Sequence, residues 1–258
     1  MAESSTTETG APPPVIITGA GRGIGAATAL VAADRGHAVV VAYAHDAASA
    51  ERVAGTCRER GAEALVVRAD VTVEADVVDL FDRAQDVFGP PRVVVNNAGV
   101  VATQMRFESM TVERWERLLQ VNVVGAFVVA REAVRRMSTR RGGLGGAIVN
   151  VSSAASYLGS PGEYVDYAAS KGAIDTMTVG LAKEVAADGI RVNAVRPGVI
   201  HTDIHASGGE PDRVARIAPT LPMGRGGEPD EVARTIMWLA SDDASYVTGA
   251  LVNCSGGR

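Results

Sequence analysis

From Val15 onward, short apolar runs alternate with longer stretches of helical periodicity. Val15 to Thr18, Ala38 to Tyr43, Ala64 to Arg68, Arg92 to Val95, Ala147 to Val151, Ile190 to Val195 and Leu251 to Asn253 are brief and rich in β-branched residues. Near-continuous apolar runs of this length are the pattern of strands buried on both faces. Between them, apolar residues recur at helical spacing up to Arg35, then over Ala47 to Arg60, Thr72 to Phe88, Thr111 to Met137, Val165 to Val185 and Pro229 to Ala240. Gly36, Gly61 and Gly89-Pro90-Pro91 stop the first three of these stretches. Strictly alternating strands and helices predict an α/β fold: a single domain with a doubly wound parallel sheet of about seven strands and helices on both faces. The pattern holds no internal repeat and no second-domain linker.

Two segments break the alternation. Met1 to Pro14 is rich in Ser, Thr and Pro and ends in Pro12-Pro13-Pro14; it reads as a disordered tail preceding a domain that spans 15–258. Val199 to Pro222 carries Gly208, Gly209, Pro211, Pro219 and Pro222 with few apolar anchors, which predicts a mobile flap over a cleft. Composition narrows the function classes. With 47% apolar and 21% charged residues the chain reads as soluble and globular. A formal net charge of −5 without a basic block argues against nucleic acid or an anionic membrane as a partner. No apolar run is long enough to span a bilayer, and the start lacks the features of a signal peptide. Cys57 and Cys254 form no CxxC pattern and read as free thiols of a reducing, cytoplasmic compartment. His201 and His205 stand four apart behind a Pro-Gly pair with no acidic third ligand, so no metal site is expected.

The candidate chemistry sits at the carboxyl ends of the predicted strands. The first strand runs into Gly19-Ala20-Gly21-Arg22-Gly23-Ile24-Gly25 and then a helix. Glycines there let the backbone approach a pyrophosphate and aim amide hydrogens and a helix N-terminus at it, although the spacing Gly19, Gly23, Gly25 is not G-x-G-x-x-G. In dinucleotide folds the second strand ends in an acid that holds the adenosine 2′-hydroxyl. Here it ends Ala42-Tyr43-Ala44-His45, with no acid before Asp46 and with Arg22 in the glycine loop. That favours NADP(H) over NAD(H). Asp70-Val71 closes the third strand, where Asp70 either bonds an adenine amino group or caps the next helix. The fourth strand runs into Asn96-Asn97-Ala98-Gly99. Asn122 interrupts a helical stretch, where it either satisfies core hydrogen bonds or kinks the helix and orders a water. Ser152-Ser153 follows the fifth strand, Pro197-Gly198 the sixth. Tyr167 and Lys171, four apart, share a helix face. A nearby ammonium lowers a phenol's pKa from its usual value of about 10, so the pair is a candidate acid/base device.

Taken in series, these motifs resemble the short-chain dehydrogenase/reductase family, over essentially Val15 to Arg258. The motifs are Thr18-Gly19-x-x-x-Gly23-x-Gly25, Asp70, Asn96-Asn97-Ala98-Gly99, Asn122, Ser153, Tyr167-x-x-x-Lys171 and Pro197-Gly198. The resemblance implies a Rossmann-like fold and an NAD(P)-dependent oxidoreductase acting on a small carbonyl or secondary alcohol. It makes Tyr167 the proton donor or acceptor. It gives Lys171 the task of lowering the tyrosine's pKa and holding the nicotinamide ribose. Ser153 would hold the substrate oxygen, and Asn122 a water linking Lys171 to solvent. The family's serine stands one residue nearer the tyrosine, which leaves Ser152 as the alternative; strand register favours Ser153. Gly19, Arg22, Gly23, Ile24, Gly25, Asp70, Val71, Asn97, Ala98, Gly99, Pro197, Gly198, Val199 and Thr202 would line the nucleotide site. Gly162 to Tyr167 and His205 to Pro211 resemble a glucose 1-dehydrogenase-like subgroup and equally the 3-oxoacyl-thioester reductases. Family members are often homotetramers. A catalytically idle cofactor-binding sensor or scaffold is the competing reading, and the presence of Ser153, Tyr167, Lys171 and Asn122 argues against it.

Overall fold

The computed structural model describes residues 12–258. Most of the tail expected over Met1 to Pro14 lies outside the described residues; within them, Pro14 is buried, and the Pro13 carbonyl lies 2.8 Å from His37 Nδ1. Seven strands form one sheet: β1 (Val15–Ile17), β2 (Val39–Tyr43), β3 (Ala64–Arg68), β4 (Val93–Asn96), β5 (Gly146–Val151), β6 (Ile190–Pro197) and β7 (Leu251–Cys254). The order is β3-β2-β1-β4-β5-β6-β7, and every pairing is parallel. This is the doubly wound α/β sheet that the hydrophobic pattern predicts.

The period of two along each strand sorts side chains to opposite faces. Val15, Ile17, Val39, Val41, Val93 and Val95 enter one core with α1 (Gly23–Asp34), α2 (Ala47–Glu59) and α10 (Pro229–Ala240). Ile16, Val40 and Val94 point the other way, against α3 (Glu74–Phe88), α5 (Ala126–Met137) and α7 (Val165–Val185). Ile16 and Ile17 are wholly buried, on opposite faces. Each contributes on the order of 1.5–3 kcal/mol of burial, so a one-residue slip of β1 is strongly opposed.

Three segments differ from the sequence pattern. The helix expected from Thr72 starts at Glu74, because Asp70 Oδ1 accepts from the Thr72 amide (2.9 Å) and hydroxyl (2.8 Å) and ties those residues into a turn. The stretch Thr111 to Met137 is α4 (Val112–Leu119), a π-helical turn (Gln120–Gly125) and α5. The turn brings Asn122 inward, 1% exposed. The segment 199–222 is better anchored than its Gly and Pro content suggests. It folds into two short helices, α8 (Ile204–Ser207) and α9 (Arg213–Ile217), around a small core of Val199, Val214, Ile217 and Leu221. Arg213 and Arg216 pair with Glu163 and Glu210, fastening this segment to the loop before α7.

Candidate active site

The strand order reverses at β1, which lies between β2 and β4, so β2 and β3 extend one way and β4 to β7 the other. A cleft opens at such a reversal, outside the strands' carboxyl ends. Here it is a cavity of about 730 Å³ that reaches from the glycine loop and Asp46 to Tyr167 and His205.

Its glycine-loop end is built from backbone. Gly19 has φ +65°, and a Cβ on Gly25 would fall 2.5 Å from the Gly19 carbonyl and 2.6 Å from Asn97 Nδ2. Only glycine lets the loop fold that tightly onto the start of α1. Thr18 and Asn97, neighbours across β1 and β4, fasten it. Thr18 Oγ1 accepts from the Asn97 and Ala98 amides, each at 3.0 Å. Asn97 Nδ2 donates to the carbonyls of Thr18 (2.8 Å) and Gly19 (3.1 Å). This tie leaves no mark in the sequence pattern, because Thr18 and Asn97 are 79 residues apart. Arg22 is exposed at the N-cap of α1, with Gly23, Ile24 and Thr202 also on the cavity wall. Asp46 borders the cavity, but its carboxylate is engaged in capping α2, accepting from the Ser49 amide at 2.9 Å. The Ser49 hydroxyl and amide hold that carboxyl below its usual range. Asp70 is held low in the same way by Thr72, and it makes a local turn instead of capping α3, whose N-cap is Val73. Val71 lines the wall beside it. Gly198 packs against Ser255 below Pro197. Val199 belongs to the small core with Val214, Ile217 and Leu221 and also borders the cavity.

The chemical end gathers four predicted side chains from three parts of the chain. Lys171 is 4% exposed, and its Nζ donates to the Val151 carbonyl at 2.8 Å. An ammonium has three donors, and this is its one hydrogen bond among the described residues. Two donors remain for a ligand. Burial pulls Lys171 down to about 8, opposed by the negative charge of Asp175. Asn122 Oδ1 accepts from the Val100 amide (2.8 Å), and its Nδ2 donates to the Val100 carbonyl (2.9 Å). Asn122 Oδ1 and Lys171 Nζ both lie beside Gly99, each 3.4 Å from where a Cβ there would sit. Ser152 is 2% exposed and donates to the Lys171 carbonyl at 3.2 Å, so it faces the helix backbone. Ser153 instead accepts from the Ala155 amide at 3.1 Å, and its hydroxyl is near enough to the Tyr167 phenol to favour the phenolate. Both serines border the cavity, but the Ser152 hydroxyl is committed to the Lys171 carbonyl, which leaves that of Ser153 to the tyrosine side.

One expectation is reversed. Lys171 Nζ lies 5.7 Å from the centre of the Tyr167 ring, and the phenol is pushed up to about 12, not down. Burial disfavours the phenolate and outweighs the lowering by the Ser153 hydroxyl. Near neutral pH, Tyr167 therefore carries its proton.

A buried ion pair seats this tyrosine. Asp166 accepts from Arg114 Nε (2.6 Å) and Nη2 (3.2 Å) and from the Tyr167 amide (2.9 Å). Neither segment marks this pair on its own, since Arg114 lies 52 residues upstream on a different helix. His201 and His205 do not converge: His205 Nε2 lies 2.8 Å from the Ile200 carbonyl, whereas His201 Nε2 is 3.9 Å from Glu228. Among the described residues no cluster of His, Cys, Asp or Glu is arranged to hold a metal ion, and no helix is long and apolar enough to cross a membrane.

The chain matches, over residues 19–258, the family described as enoyl-(acyl carrier protein) reductase, adh_short_C2. It is 54% identical to the uncharacterized oxidoreductase YgfF of Escherichia coli K12 across 94% of this chain and 98% of that protein. A crystal structure described as a short-chain type dehydrogenase/reductase from Mycobacterium marinum superposes with a TM-score of 0.89 at 35% identity, covering 96% of this chain and 95% of that one. The chain is a short-chain dehydrogenase/reductase. Another relative, the cis-4-hydroxycyclohexanecarboxylate dehydrogenase of Sinomonas cyclohexanicum, is 41% identical over 94% of each protein. Other relatives are likewise named as dehydrogenases or reductases of alcohols and carbonyls, and the chain is an oxidoreductase of that class.

Proposed function

We propose that this short-chain dehydrogenase/reductase transfers a hydride between NADP(H), in preference to NAD(H), and a small carbonyl or secondary alcohol, with Tyr167 as general acid/base. The observation that carries the reading is the meeting of the Tyr167 phenol, the Ser153 hydroxyl and the Lys171 ammonium in one cavity that continues to the glycine loop. The residues fit a dinucleotide: the amides at the start of α1 suit a pyrophosphate, and the two spare donors of Lys171 suit ribose hydroxyls. When bound, the cofactor supplies or accepts the hydride. The chain supplies the rest. Ser153 Oγ donates to the substrate oxygen and fixes its position. Tyr167, protonated at neutral pH, passes its proton to that oxygen as charge develops on it, and Lys171 stabilises the phenolate left behind. Oxidation of an alcohol runs the same transfers in reverse.

The cofactor preference rests on the absence of an acid free to bond a 2′-hydroxyl at the end of β2, where Asp46 is committed to α2, and on the exposed guanidinium of Arg22 beside the glycine loop. The substrate end is lined by Val101, Leu158, Tyr164 and Ile204, with Arg213 neutralised by two carboxylates, which suits a small and modestly polar molecule. A cytoplasmic homotetramer belongs to the same reading. Free thiols at Cys57 and Cys254 support it, as do the exposed Val112, Leu119 and Phe127 on α4 and α5. The test is cofactor oxidation by the purified protein with NADPH and NADH separately, against small ketones, diketones and acetoacetyl thioesters, followed by the reverse reaction on secondary alcohols and sugars. Turnover with NADPH well above that with NADH supports the proposal; turnover with NADH alone contradicts its cofactor assignment.

A further inference from the structure

Tyr167 and Lys171 are the first two members of a series on one face of α7, and the third is Asp175, four residues further on. Asp175 is 7% exposed. Its Oδ2 accepts from Arg196 Nε (3.0 Å) and Nη2 (2.8 Å), while Oδ1 is buried with no hydrogen-bond partner among the described residues. An Arg–carboxylate pair built only for stability commonly uses both oxygens in a fork. Here the guanidinium takes one oxygen and leaves the other bare in the interior, where an unsatisfied acceptor is costly. One turn away, Lys171 is a buried ammonium with a single acceptor. The two irregularities are of opposite sign and share a helix face.

We propose that Asp175 is a positioning residue for Lys171: its carboxylate keeps the buried ammonium charged and oriented where Tyr167 and a dinucleotide require it. The proposal builds on the proton-transfer role given above to Tyr167 and Lys171, but its test reads the lysine itself. The surroundings leave little else to perform this task. Around Lys171, β5 offers the Val151 carbonyl, and the π-helical turn and the segment after β4 offer only the neutral Asn122 and Gly99. On α7 itself stand Tyr167 and Asp175. From β6 comes Arg196, which also stacks 5.3 Å from the Tyr157 ring of α6 (Ala155–Leu158). The Arg114–Asp166 pair closes on itself at the N-terminus of α7, and on α5 Glu132 is occupied by Arg135 and Arg136. Asp175 thus faces two cations, and Arg196 competes with Lys171 for its charge.

That competition yields opposite signs for two variants. Asp175→Asn removes the anion and keeps the shape; Arg196→Met removes the competitor and leaves the anion to Lys171. The chain has just two lysines, Lys171 and Lys183, and Lys183 is exposed. Protein labelled with ¹³C-lysine therefore gives two Cε signals, which Lys183→Arg assigns. Titrated by NMR, Lys171 is expected to lose its proton near pH 8 in the natural protein. In Asp175→Asn the midpoint falls by about one pH unit or more, the scale set by two charges one helical turn apart in a protein interior. In Arg196→Met it rises. An unmoved midpoint in a folded Asp175→Asn, or shifts of the same sign in both variants, overturns the proposal, because a merely structural clamp loosens α7 alike from either side. If Asp175→Asn fails to fold, Arg196→Met decides alone: a rise supports the role, and a fall or no change removes it. None of these readings requires turnover, so they stand apart from the test of the proposed function.

Discussion

Replacing Arg114 with Met probes how the tyrosine is held. Arg114 and Asp166 side chains are 10% and 5% exposed, and the pair is joined by hydrogen bonds of 2.6 and 3.2 Å. Removing one partner of a buried pair strands the other charge, at a cost of roughly 3–5 kcal/mol. Asp166 Oδ1 keeps the Tyr167 amide as a donor, which places the expected loss near the lower end, about 3 kcal/mol. For a chain of this size each kcal/mol moves the melting temperature by about 2–4 °C. Arg114→Met should therefore melt roughly 6–12 °C lower. Thermal unfolding by circular dichroism at one scan rate, natural protein and variant side by side, reads this directly. Adding Asp166→Asn removes the stranded charge while retaining the acceptor for Tyr167, so the double variant should recover about half of the loss. Because Tyr167 follows Asp166, kcat should fall about tenfold or more in the single variant with little change in KM for the cofactor. A melting shift under 2 °C, or a double variant less stable than the single one, would refute the claim that this ion pair seats the tyrosine.

Other expectations follow from the cofactor end. Gly25→Ala forces a Cβ to within 2.5 Å of the Gly19 carbonyl, so NADPH binding measured by calorimetry should weaken by at least about tenfold even where the sheet stays folded. Unchanged affinity would mean that the loop has room the structure does not show. Arg22→Ser should weaken NADPH binding by about tenfold and leave NADH unaffected, the cost of one charge-assisted contact; equal losses for both would place Arg22 away from the 2′-phosphate.

How much of this was legible in the residues depends on range. The strands announced themselves because burial on both faces demands unbroken apolar runs such as Val39-Val40-Val41. The glycine loop and the Tyr167–Lys171 spacing were equally visible, since both are local. Contacts that join distant segments left no such mark. Thr18 to Asn97, Arg114 to Asp166 and Arg196 to Asp175 each join segments far apart in sequence. Nothing in the separate segments distinguishes those residues from solvated ones. The flap misled for a related reason: Val199, Val214, Ile217 and Leu221 are too widely spaced to show a period, yet they meet in one small core. The direction of the Tyr167 shift also lay out of reach, because it turns on how deeply the ring is buried and not on which residue stands four places on.

The central claim is that Tyr167 transfers the proton. NADPH oxidation by the natural protein, with the best carbonyl substrate found, should be compared with Tyr167→Phe under the same conditions, with NADPH binding measured on both. The account predicts that the variant binds NADPH within about threefold of the natural protein, since Lys171 and the glycine loop are untouched, and that kcat falls by about a hundredfold or more, the usual scale of a lost general acid. Turnover retained in Tyr167→Phe at comparable cofactor affinity would contradict it and send the search for the proton donor elsewhere in the cavity.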